Sequence, residues 1–323
     1  MTHSAQALRV HRDLVVDIGD IPERTLPPGE VRIRVGAAGI CGSDIHAVHT
    51  GAWIEYWPAT LGHEVAGTVV ESENAELSVG TRVVVDSRIP CRACADCAVS
   101  PRFCPHLTWL GESRPGGFAE ELVVPATVVY PITSDELPID VAVLAEPLAV
   151  VLTAVARLPR GTRTVLIMGY GPIGALCHLV LRDRGIEVTV AETHPGRLAT
   201  AVARGALSAD VASDRIDVVI DSAGFPGSVK VAFGAVRRGG TVLVVAIGGS
   251  AIDISAQDLV EKCVTIAPSI GFHDDSIPAA LTALIAEPGA FADVVSDRIT
   301  LEELPARLSA PAPTLGKVVV TFP

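Results

Sequence analysis

The chain has 323 residues, of which 49% are hydrophobic, and its formal net charge is −12. This length predicts two domains with sizeable cores, and an acidic chain with dispersed Lys and Arg argues against a nucleic-acid partner, because phosphate contacts need clustered basic residues. No apolar run has the length of a membrane-spanning helix, and neither a polybasic anchor nor a secretory leader is evident, so we expect a cytoplasmic protein without a membrane partner.

Residues 1–148 predict a β-rich domain. Gly, Pro and Ser turns separate short apolar or alternating runs, which are Val31–Val35, Val65–Val70, Arg82–Val85 and Glu120–Val124. The C-terminal run Lys317–Phe322 is again β-like, so we expect residues 288–323 to rejoin this domain.

Four residues of this first domain have side chains that commonly bind zinc: Cys41, His63, Glu64 and Glu146. One thiolate, one imidazole and one carboxylate with an open fourth position are typical of a catalytic zinc site, and Cys41, His63 and Glu146 supply such a set. Each residue has an ordinary explanation on its own, since a lone cysteine is usually a small buried hydrophobe. Their combination with the dinucleotide motif described below favours the metal site.

A second metal motif follows within the same domain. Four cysteines have the spacing Cys91-x2-Cys94-x2-Cys97-x6-Cys104, which predicts one structural, tetrahedral Zn²⁺. Disulfide bonds are the alternative explanation, but neighbours spaced Cys-x2-Cys rarely pair without strain.

Residues 149–287 predict a dinucleotide-binding Rossmann domain with a doubly wound parallel sheet, because strands alternate with helices. The predicted strands are Val165–Met168, Val188–Ala191, Val218–Ile220 and Thr241–Val245, and the helices are Ile173–Arg182, Gly196–Arg204 and Ser228–Val236.

The glycines of this domain carry the cofactor prediction. Gly169-x-Gly171-x-x-Gly174 joins the first strand to the first helix, which is the context of a pyrophosphate-binding turn. Glu192 ends the next strand, where a carboxylate binds the adenosine ribose and repels a 2′-phosphate, so we favour NAD over NADP. His194 and Arg197 leave NADP open, and a glycine turn in an α/β domain without a cofactor is the further alternative.

The ordered motifs together resemble the zinc-dependent medium-chain alcohol dehydrogenases, in the branch of the polyol and threonine dehydrogenases. The resemblance covers nearly the whole chain and is carried by residues 39–46 (GICGSDIH), 62–67 (GHEVAG), the four-cysteine segment, 116–120 (GGFAE), 146–149 (EPLA) and 169–174 (GYGPIG). It implies a GroES-like, β-rich catalytic domain plus a Rossmann domain. The segment from Asp210 to Asp217 departs from the family, because it leaves no room for the helix that usually lies there.

The resemblance also implies roles for individual residues. Cys41, His63 and Glu146 match the catalytic zinc ligands, and Glu64 matches an acidic neighbour that occupies or exchanges at the fourth position. Asp44 matches the carboxylate that orients the zinc-bound histidine, and Ser43 and His46 match a proton relay. The expected cofactor-binding residues are Gly169, Gly171, Pro172, Ile173, Gly174, Glu192, Arg197 and Lys317.

The implied reaction is reversible hydride transfer between a secondary alcohol and the nicotinamide of NAD, with two Zn²⁺ ions per chain. Aromatic side chains are expected to narrow the substrate pocket (Trp53, Tyr56, Trp57 and Trp109), although core packing is their alternative role. Nearby polar side chains suggest a polyol, sugar or aminocyclitol substrate (His49, Glu55, Glu112 and Arg114). L-Threonine, a simple secondary alcohol, or dinucleotide binding without turnover are the alternatives. We expect a homodimer or homotetramer, with the apolar segment Lys262–Ile270 as a pairing edge.

Overall fold

The computed structural model describes residues 4–22, 25–209, 215–248 and 251–323. The chain divides into two compact units, of which unit 1 comprises Met1–Glu146 and His273–Pro323, and unit 2 comprises Pro147–Phe272. The second segment of unit 1 therefore begins at His273, not at residue 288 as the sequence analysis placed it. The physical reason is a helix, Ser276–Ala286, which contacts the helix Ile139–Ala142 of unit 1.

The strands are named here in chain order. They are β1 (Gln6–Val10), β2 (Val16–Asp20), β3 (Glu30–Gly39), β4 (Glu64–Ser72), β5 (Arg82–Val85), β6 (Arg88–Ile89), β7 (Thr108–Trp109), β8 (Glu121–Pro125), β9 (Val129–Pro131), β10 (Thr164–Met168), β11 (Glu187–Ala191), β12 (Leu207–Ser208), β13 (Ile216–Asp221), β14 (Val236–Val244), β15 (Thr265–Pro268), β16 (Val295–Ile299) and β17 (Lys317–Thr321).

The α-helices are also named in chain order. They are α1 (Gly42–Thr50), α2 (Ala95–Val99), α3 (Ile139–Ala142), α4 (Ala145–Val155), α5 (Pro172–Asp183), α6 (Pro195–Ala203), α7 (Ser228–Ala235), α8 (Ala256–Lys262), α9 (Ser276–Ala286), α10 (Pro288–Ala292) and α11 (Leu304–Ser309). Short 3₁₀ turns cover Pro101–Phe103 and Ala126–Val128. No helix in the described ranges combines the length and apolar character needed to cross a membrane.

Unit 1 is built on a seven-stranded sheet with the order β16-β17-β3-β4-β5-β9, in which β8 also pairs with β3. Strand β3 lies between β17 and β4, and its last residue, Gly39, is opposite both Val319 and Glu64. Leu8, Ile33 and Phe118 are fully buried in the core that packs on this sheet. The end of β3, the start of β4 and the middle of β17 therefore meet just before Cys41.

Unit 2 is a six-stranded parallel sheet with the order β12-β11-β10-β13-β14-β15. Strand β10 is central, and four of its five residues are buried, as expected for a parallel strand covered on both faces. The order changes direction at β10, and a crevice at the carboxyl ends of such strands is where α/β folds bind ligands.

The predicted fold class, a β-rich GroES-like domain with a Rossmann-type parallel sheet, is confirmed. The predicted runs coincide closely with the observed elements, for example Ile173–Arg182 with α5. Within the shortened segment from Asp210 to Asp217, residues 210–214 lie outside the described ranges, and β13 begins at Ile216. The predicted lack of a helix in that segment stays a prediction.

Candidate metal centres and dinucleotide site

The turn between β3 and α1 positions the first metal-ligand candidate. Cys41 precedes α1 in extended backbone conformation, and its N–H donates to Asp44 Oδ2 at 2.8 Å. The other oxygen of Asp44 accepts from Gly62 N at 3.2 Å and lies 3.6 Å from His63 Nδ1. One buried carboxylate thus holds the backbone beside Cys41 and beside His63 and lies close to the His63 ring, and its predicted role in orienting that ring stays a prediction.

His63 and Glu64 continue this site at the start of β4. The side-chain ligand atoms of Cys41, His63 and Glu64 all lie within 4.8 Å of one another. Burial acts to lower the pKa of His63, but Asp44 and Cys41 together raise it well above its usual value. Glu64 Oε2 is buried and has no hydrogen-bond partner among the described residues. A buried, unpartnered carboxylate oxygen beside a thiol and an imidazole suits a cation, so the residues present fit a zinc ion.

Gly39 makes room for the Glu64 carboxylate. A Cβ atom at position 39 would lie 2.0 Å from Glu64 Oε2, far inside van der Waals contact. Only a residue without a side chain therefore permits this carboxylate position. The sequence analysis did not single out Gly39, because the requirement arises from the β3–β4 register rather than from a local motif.

Glu146 is not among the three residues whose ligand atoms gather here, although His63 and Glu64 act on its pKa, so its predicted role as a zinc ligand stays a prediction. Its Oε1 accepts a hydrogen bond from Ser87 Oγ at 3.0 Å, and burial raises its pKa to about 7. The predicted ligand set treated Glu64 as the exchanging fourth group, whereas the structure gathers Glu64 with the thiol and the imidazole. Ser87 gave no signal in the sequence, since an isolated serine has no distinctive pattern.

Lys317 also requires a correction, because it does not present its ammonium group to a cofactor phosphate. Its side chain is 3% exposed, and Nζ lies 2.6 Å from Glu64 Oε1 and donates to Ile40 O at 3.0 Å. Burial acts to lower the pKa of Lys317, but Glu64 and Cys41 raise it above its usual value. The ammonium therefore balances negative charge at the metal-ligand group.

Ser43 and His46, the predicted relay, both lie on α1, which begins directly after Cys41. His46 is exposed, and its imidazole lies against Trp53 with ring centroids 4.9 Å apart. No hydrogen bond joins Ser43 to His46 in the described part of the chain. Their relay role therefore stays a prediction.

The four predicted aromatic residues have different surroundings in the structure. The Tyr56 hydroxyl forms two hydrogen bonds with the backbone of Thr60. It donates to the carbonyl at 3.0 Å and accepts from the N–H at 2.9 Å. Tyr56 and Trp57 pack against the core of unit 1, so for these two the packing alternative describes the structure. Trp109 ends β7 and is half-buried, whereas Trp53 is 42% exposed.

The polar residues predicted near the substrate also separate. Arg114 pairs with Glu30 at 2.7 Å, so its guanidinium is already engaged. Burial raises the pKa of Glu112, as do the nearby carboxylates of Asp44 and Glu55, while His63 acts in the opposite direction. Glu112 is therefore a half-buried carboxyl group that interacts electrostatically with the metal-ligand candidate His63.

The four-cysteine segment forms a compact sulfur cluster. The Sγ distances are 3.5 Å for Cys91–Cys104 and 3.9 Å for both Cys91–Cys97 and Cys94–Cys104. Four sulfurs bound tetrahedrally at about 2.3 Å from Zn²⁺ lie about 3.8 Å apart, so the cluster has the dimensions of a zinc site. All four cysteines are free thiols, which rules out the disulfide alternative in this structure.

One thiol of the cluster, Cys91, has a lowered pKa. Backbone N–H groups of Ala93, together with Cys104 and Cys94, lower the pKa of Cys91 to about 6. Burial and the neighbouring Cys94 and Cys104 raise the pKa of Cys97 to about 12, so at neutral pH the zinc-binding thiolate form is favoured at Cys91 but not at Cys97.

The glycine motif of unit 2 joins β10 to α5. Gly169 has φ +86°, and a Cβ atom at Gly174 would lie 2.1 Å from Gly169 O, so both positions require glycine. Gly171 precedes α5, has open space where a Cβ would stand, and caps the helix with no side chain. The first N–H groups of α5 have no intrahelical acceptor, which suits a pyrophosphate approaching over Gly171.

Glu192 lies directly after β11 and binds the glycine turn. Its carboxylate accepts from Tyr170 N at 2.7 Å and from His194 N at 2.8 Å, and Arg197 lies 3.9 Å away. Burial acts to raise the pKa of Glu192, but these hydrogen bonds and Arg197 hold it below its usual value. An ionised carboxylate at this place has further lone pairs for ribose hydroxyls.

Comparison with known proteins identifies the family of the chain. Residues 27–134 match the family model for the alcohol dehydrogenase GroES-like domain. The chain is 34% identical over 307 residues to the D-altritol 5-dehydrogenase of Agrobacterium fabrum, covering 89% of this chain and 90% of that protein. It is 26% identical to an L-threonine 3-dehydrogenase of Streptomyces avermitilis, over 93% of this chain and 94% of the relative.

A solved structure gives the same result. A zinc-binding dehydrogenase from Sinorhizobium meliloti 1021, bound to NADP, superposes with a TM-score of 0.90 at 28% identity, covering 99% of this chain and 100% of the other. The match extends over both units. The chain belongs to the zinc-dependent medium-chain alcohol dehydrogenase family.

Proposed function

We propose that the protein transfers a hydride between NAD(H) and a polar secondary alcohol or its ketone, with a polyol or sugar as the substrate class. The convergence of Cys41, His63 and Glu64 beside Asp44 and Lys317 carries the proposal, because this is a compact ligand set in which the buried Glu64 carboxylate faces the Lys317 ammonium group. The similarity to a D-altritol dehydrogenase supports the substrate class.

The residues around the first metal-ligand group have distinct tasks in this proposal. Zn²⁺ held by Cys41, His63 and Glu64 would supply Lewis acidity toward the substrate oxygen, and NAD would supply the hydride acceptor. Asp44 holds the His63 ring in its ligating orientation. Lys317 compensates the charge of Glu64, so that a thiolate and a carboxylate can coexist in the interior.

The proton released from the alcohol needs a path to solvent. Ser43 follows the metal ligand Cys41 by two residues, and His46 lies one turn further along α1 at the surface. We assign the hydroxyl of Ser43 to the first proton transfer and the imidazole of His46 to the exchange with water, since histidine changes charge near neutral pH.

The carboxyl groups near the site favour a substrate with several hydroxyls. Glu112 is half-buried close to His63, with Glu55 nearby, and carboxylates are acceptors for hydroxyl or ammonium donors. An amino alcohol such as L-threonine is the second candidate, supported by the L-threonine dehydrogenase relative. Binding of a dinucleotide without turnover is the third, and the complete ligand set argues against it.

Zinc-loaded protein incubated with NAD and a panel of alcohols tests these candidates. The panel comprises hexitols, pentitols, L-threonine and 2,3-butanediol, and reduction is followed by NADH absorbance at saturating NAD. The proposal expects the highest kcat/KM for a polyol. Preference for L-threonine would establish the second candidate, and no reduction with any alcohol would refute the proposed activity.

NAD is the proposed nucleotide because Glu192 is ionised at the end of β11. The Sinorhizobium relative binds NADP, so the two nucleotides are compared directly. A kcat/KM ratio above one for NAD over NADP is expected, and a ratio well below one would overturn the preference.

We further propose that the protein is a homodimer or homotetramer that pairs through β15. This strand is one of the two edge strands, with β12, among the described strands of the sheet of unit 2, and Val260 and Ile270 near it are 78% and 63% exposed. Exposed apolar residues at a sheet edge favour pairing with another copy. Light scattering after size exclusion measures the mass, and a monomer would contradict this expectation. The cytoplasmic localisation stays a prediction.

A further inference from the structure

Trp53 has a conformation that neither packing nor local backbone preference explains. Its φ is +65°, one of four non-glycine residues with positive φ in the described ranges, and the only aromatic residue among them. Bulky side chains rarely adopt this region, because Cβ crowds the backbone. Its side chain is also 42% exposed, so burial in the core does not compensate the strain. Strained residues of this kind concentrate at functional sites.

The chain on both sides of Trp53 holds it in place. Ala52 N donates to Thr50 Oγ1 at 3.2 Å, and the same hydroxyl donates to His46 O at 2.7 Å, so the turn is tied to the helix of the relay. After Trp53, Ile54 packs against the core of unit 1, and Glu55 N donates to Glu112 O at 3.0 Å. The strained residue is thus fixed by its neighbours rather than by its own side chain.

The indole ring lies against the imidazole of His46. The ring centroids are 4.9 Å apart at an interplanar angle of 44°, within the range of attractive aromatic pairs. His46 is exposed, and its ring makes no hydrogen bond or ion pair in the described part of the chain. Among these residues, Trp53 supplies the aromatic contact that restrains the rotamer of His46.

We propose that Trp53 is a positioning residue for His46 and holds the imidazole where it passes the substrate proton to solvent. This inference rests on the proposed function. In alcohol oxidation the hydride goes to NAD⁺ and the proton leaves the hydroxyl through the relay, giving ketone, NADH and one proton in solvent. An imidazole that rotates freely would spend less time aligned with the relay, so proton release would slow while substrate binding stays unchanged.

A double-mutant cycle tests the role, using Trp53→Ala, His46→Ala and the double variant in the zinc-loaded full chain. Trp53→Ala is expected to lower kcat about fivefold to tenfold with KM within about twofold, since it acts only on a transfer step. Because Trp53 acts through His46, the double variant should lose no more than His46→Ala alone. Trp53→Phe keeps a ring and should retain most of the activity, which separates this role from general destabilisation.

A spectroscopic readout accompanies the kinetics. The NMR signals of the carbon-bound ring protons of His46 are measured with ¹³C-labelled histidine and assigned through His46→Ala. The ring current of Trp53 should displace their chemical shifts. That shift should vanish in Trp53→Ala while the other histidine signals stay in place, and an unchanged His46 signal would overturn the proposed contact.

Three kinetic outcomes would also overturn the role. They are additive losses in the double variant, a raised KM with unchanged kcat in Trp53→Ala, which would make Trp53 a substrate wall, and no loss at all. These outcomes require an active wild-type enzyme. If the wild-type protein oxidises no alcohol, the proposed function itself fails, so the two failures are distinguishable.

Discussion

Replacing Lys317 with methionine removes the ammonium group that faces Glu64 in the interior of unit 1. The two side chains are 3% and 1% exposed, and their charged atoms lie 2.6 Å apart. At an effective dielectric constant of about 20, this separation corresponds to roughly 6 kcal/mol of attraction. Because desolvation offsets part of this value, and because Glu64 in the metal-free protein then stays buried without a counter-charge, we expect unfolding of the metal-free protein to become easier by about 3–5 kcal/mol.

The chain contains a matched control at the surface. Lys230 and Asp253 are also 2.6 Å apart, but their side chains are 61% and 87% exposed. Lys230→Met should therefore leave stability nearly unchanged, because solvent screens such a pair. Urea titrations at pH 7.5 measure both variants and the double variant Lys317→Met/Glu64→Gln, which should recover part of the loss. Equal effects of Lys317→Met and Lys230→Met would refute the reasoning that burial makes the Lys317–Glu64 pair important.

Four further predictions address the sites. Ser43→Ala should slow turnover by roughly 10² to 10⁴ at normal zinc content, and unchanged turnover would remove Ser43 from the relay. Gly39→Ala should displace Glu64 and lower zinc content toward one ion per chain, whereas Gly42→Ala, with open space at its Cβ, should not. Glu192→Ala should lower kcat/KM for NAD about tenfold, the loss of one charged hydrogen bond, with a smaller loss for NADP. Burial lowers the pKa of His178 from 6.5 to about 4, so stability should fall between pH 6.5 and 4 by at most roughly 3 kcal/mol, and His178→Gln should flatten this slope.

The parts of the account that sequence could predict are those encoded locally. The Cys91–Cys104 segment contains all four ligands within fourteen positions, so the spacing alone fixes their proximity. The glycine turn at 169–174 has its strand and its helix on either side, and the structure shows why Gly169 and Gly174 cannot carry side chains. The spacing of hydrophobic residues likewise predicted α5 and the parallel strands with bounds close to those observed.

The parts that sequence did not reveal depend on sheet register. Lys317 and Glu64 are far apart along the chain and meet only because β17 and β4 both pair with β3 near Gly39. The hydrogen bond between Ser87 and Glu146 and the tilted ring contact between Trp53 and His46 are likewise not signalled by any sequence pattern. The unpredicted surroundings of Lys317 and Glu146 share this cause, since residue type indicates chemistry but not which partner is nearest.

The central claim is that Cys41, His63 and Glu64 bind one metal ion, separate from the four-cysteine ion. Anomalous diffraction at the zinc edge, on crystals of zinc-loaded protein, tests it most directly. We predict two peaks per chain, one among Cys91, Cys94, Cys97 and Cys104, and one in contact with Cys41 Sγ, the His63 ring and a Glu64 oxygen. A single peak at the four cysteines, or a second ion bound by Glu146 in place of Glu64, would contradict the account.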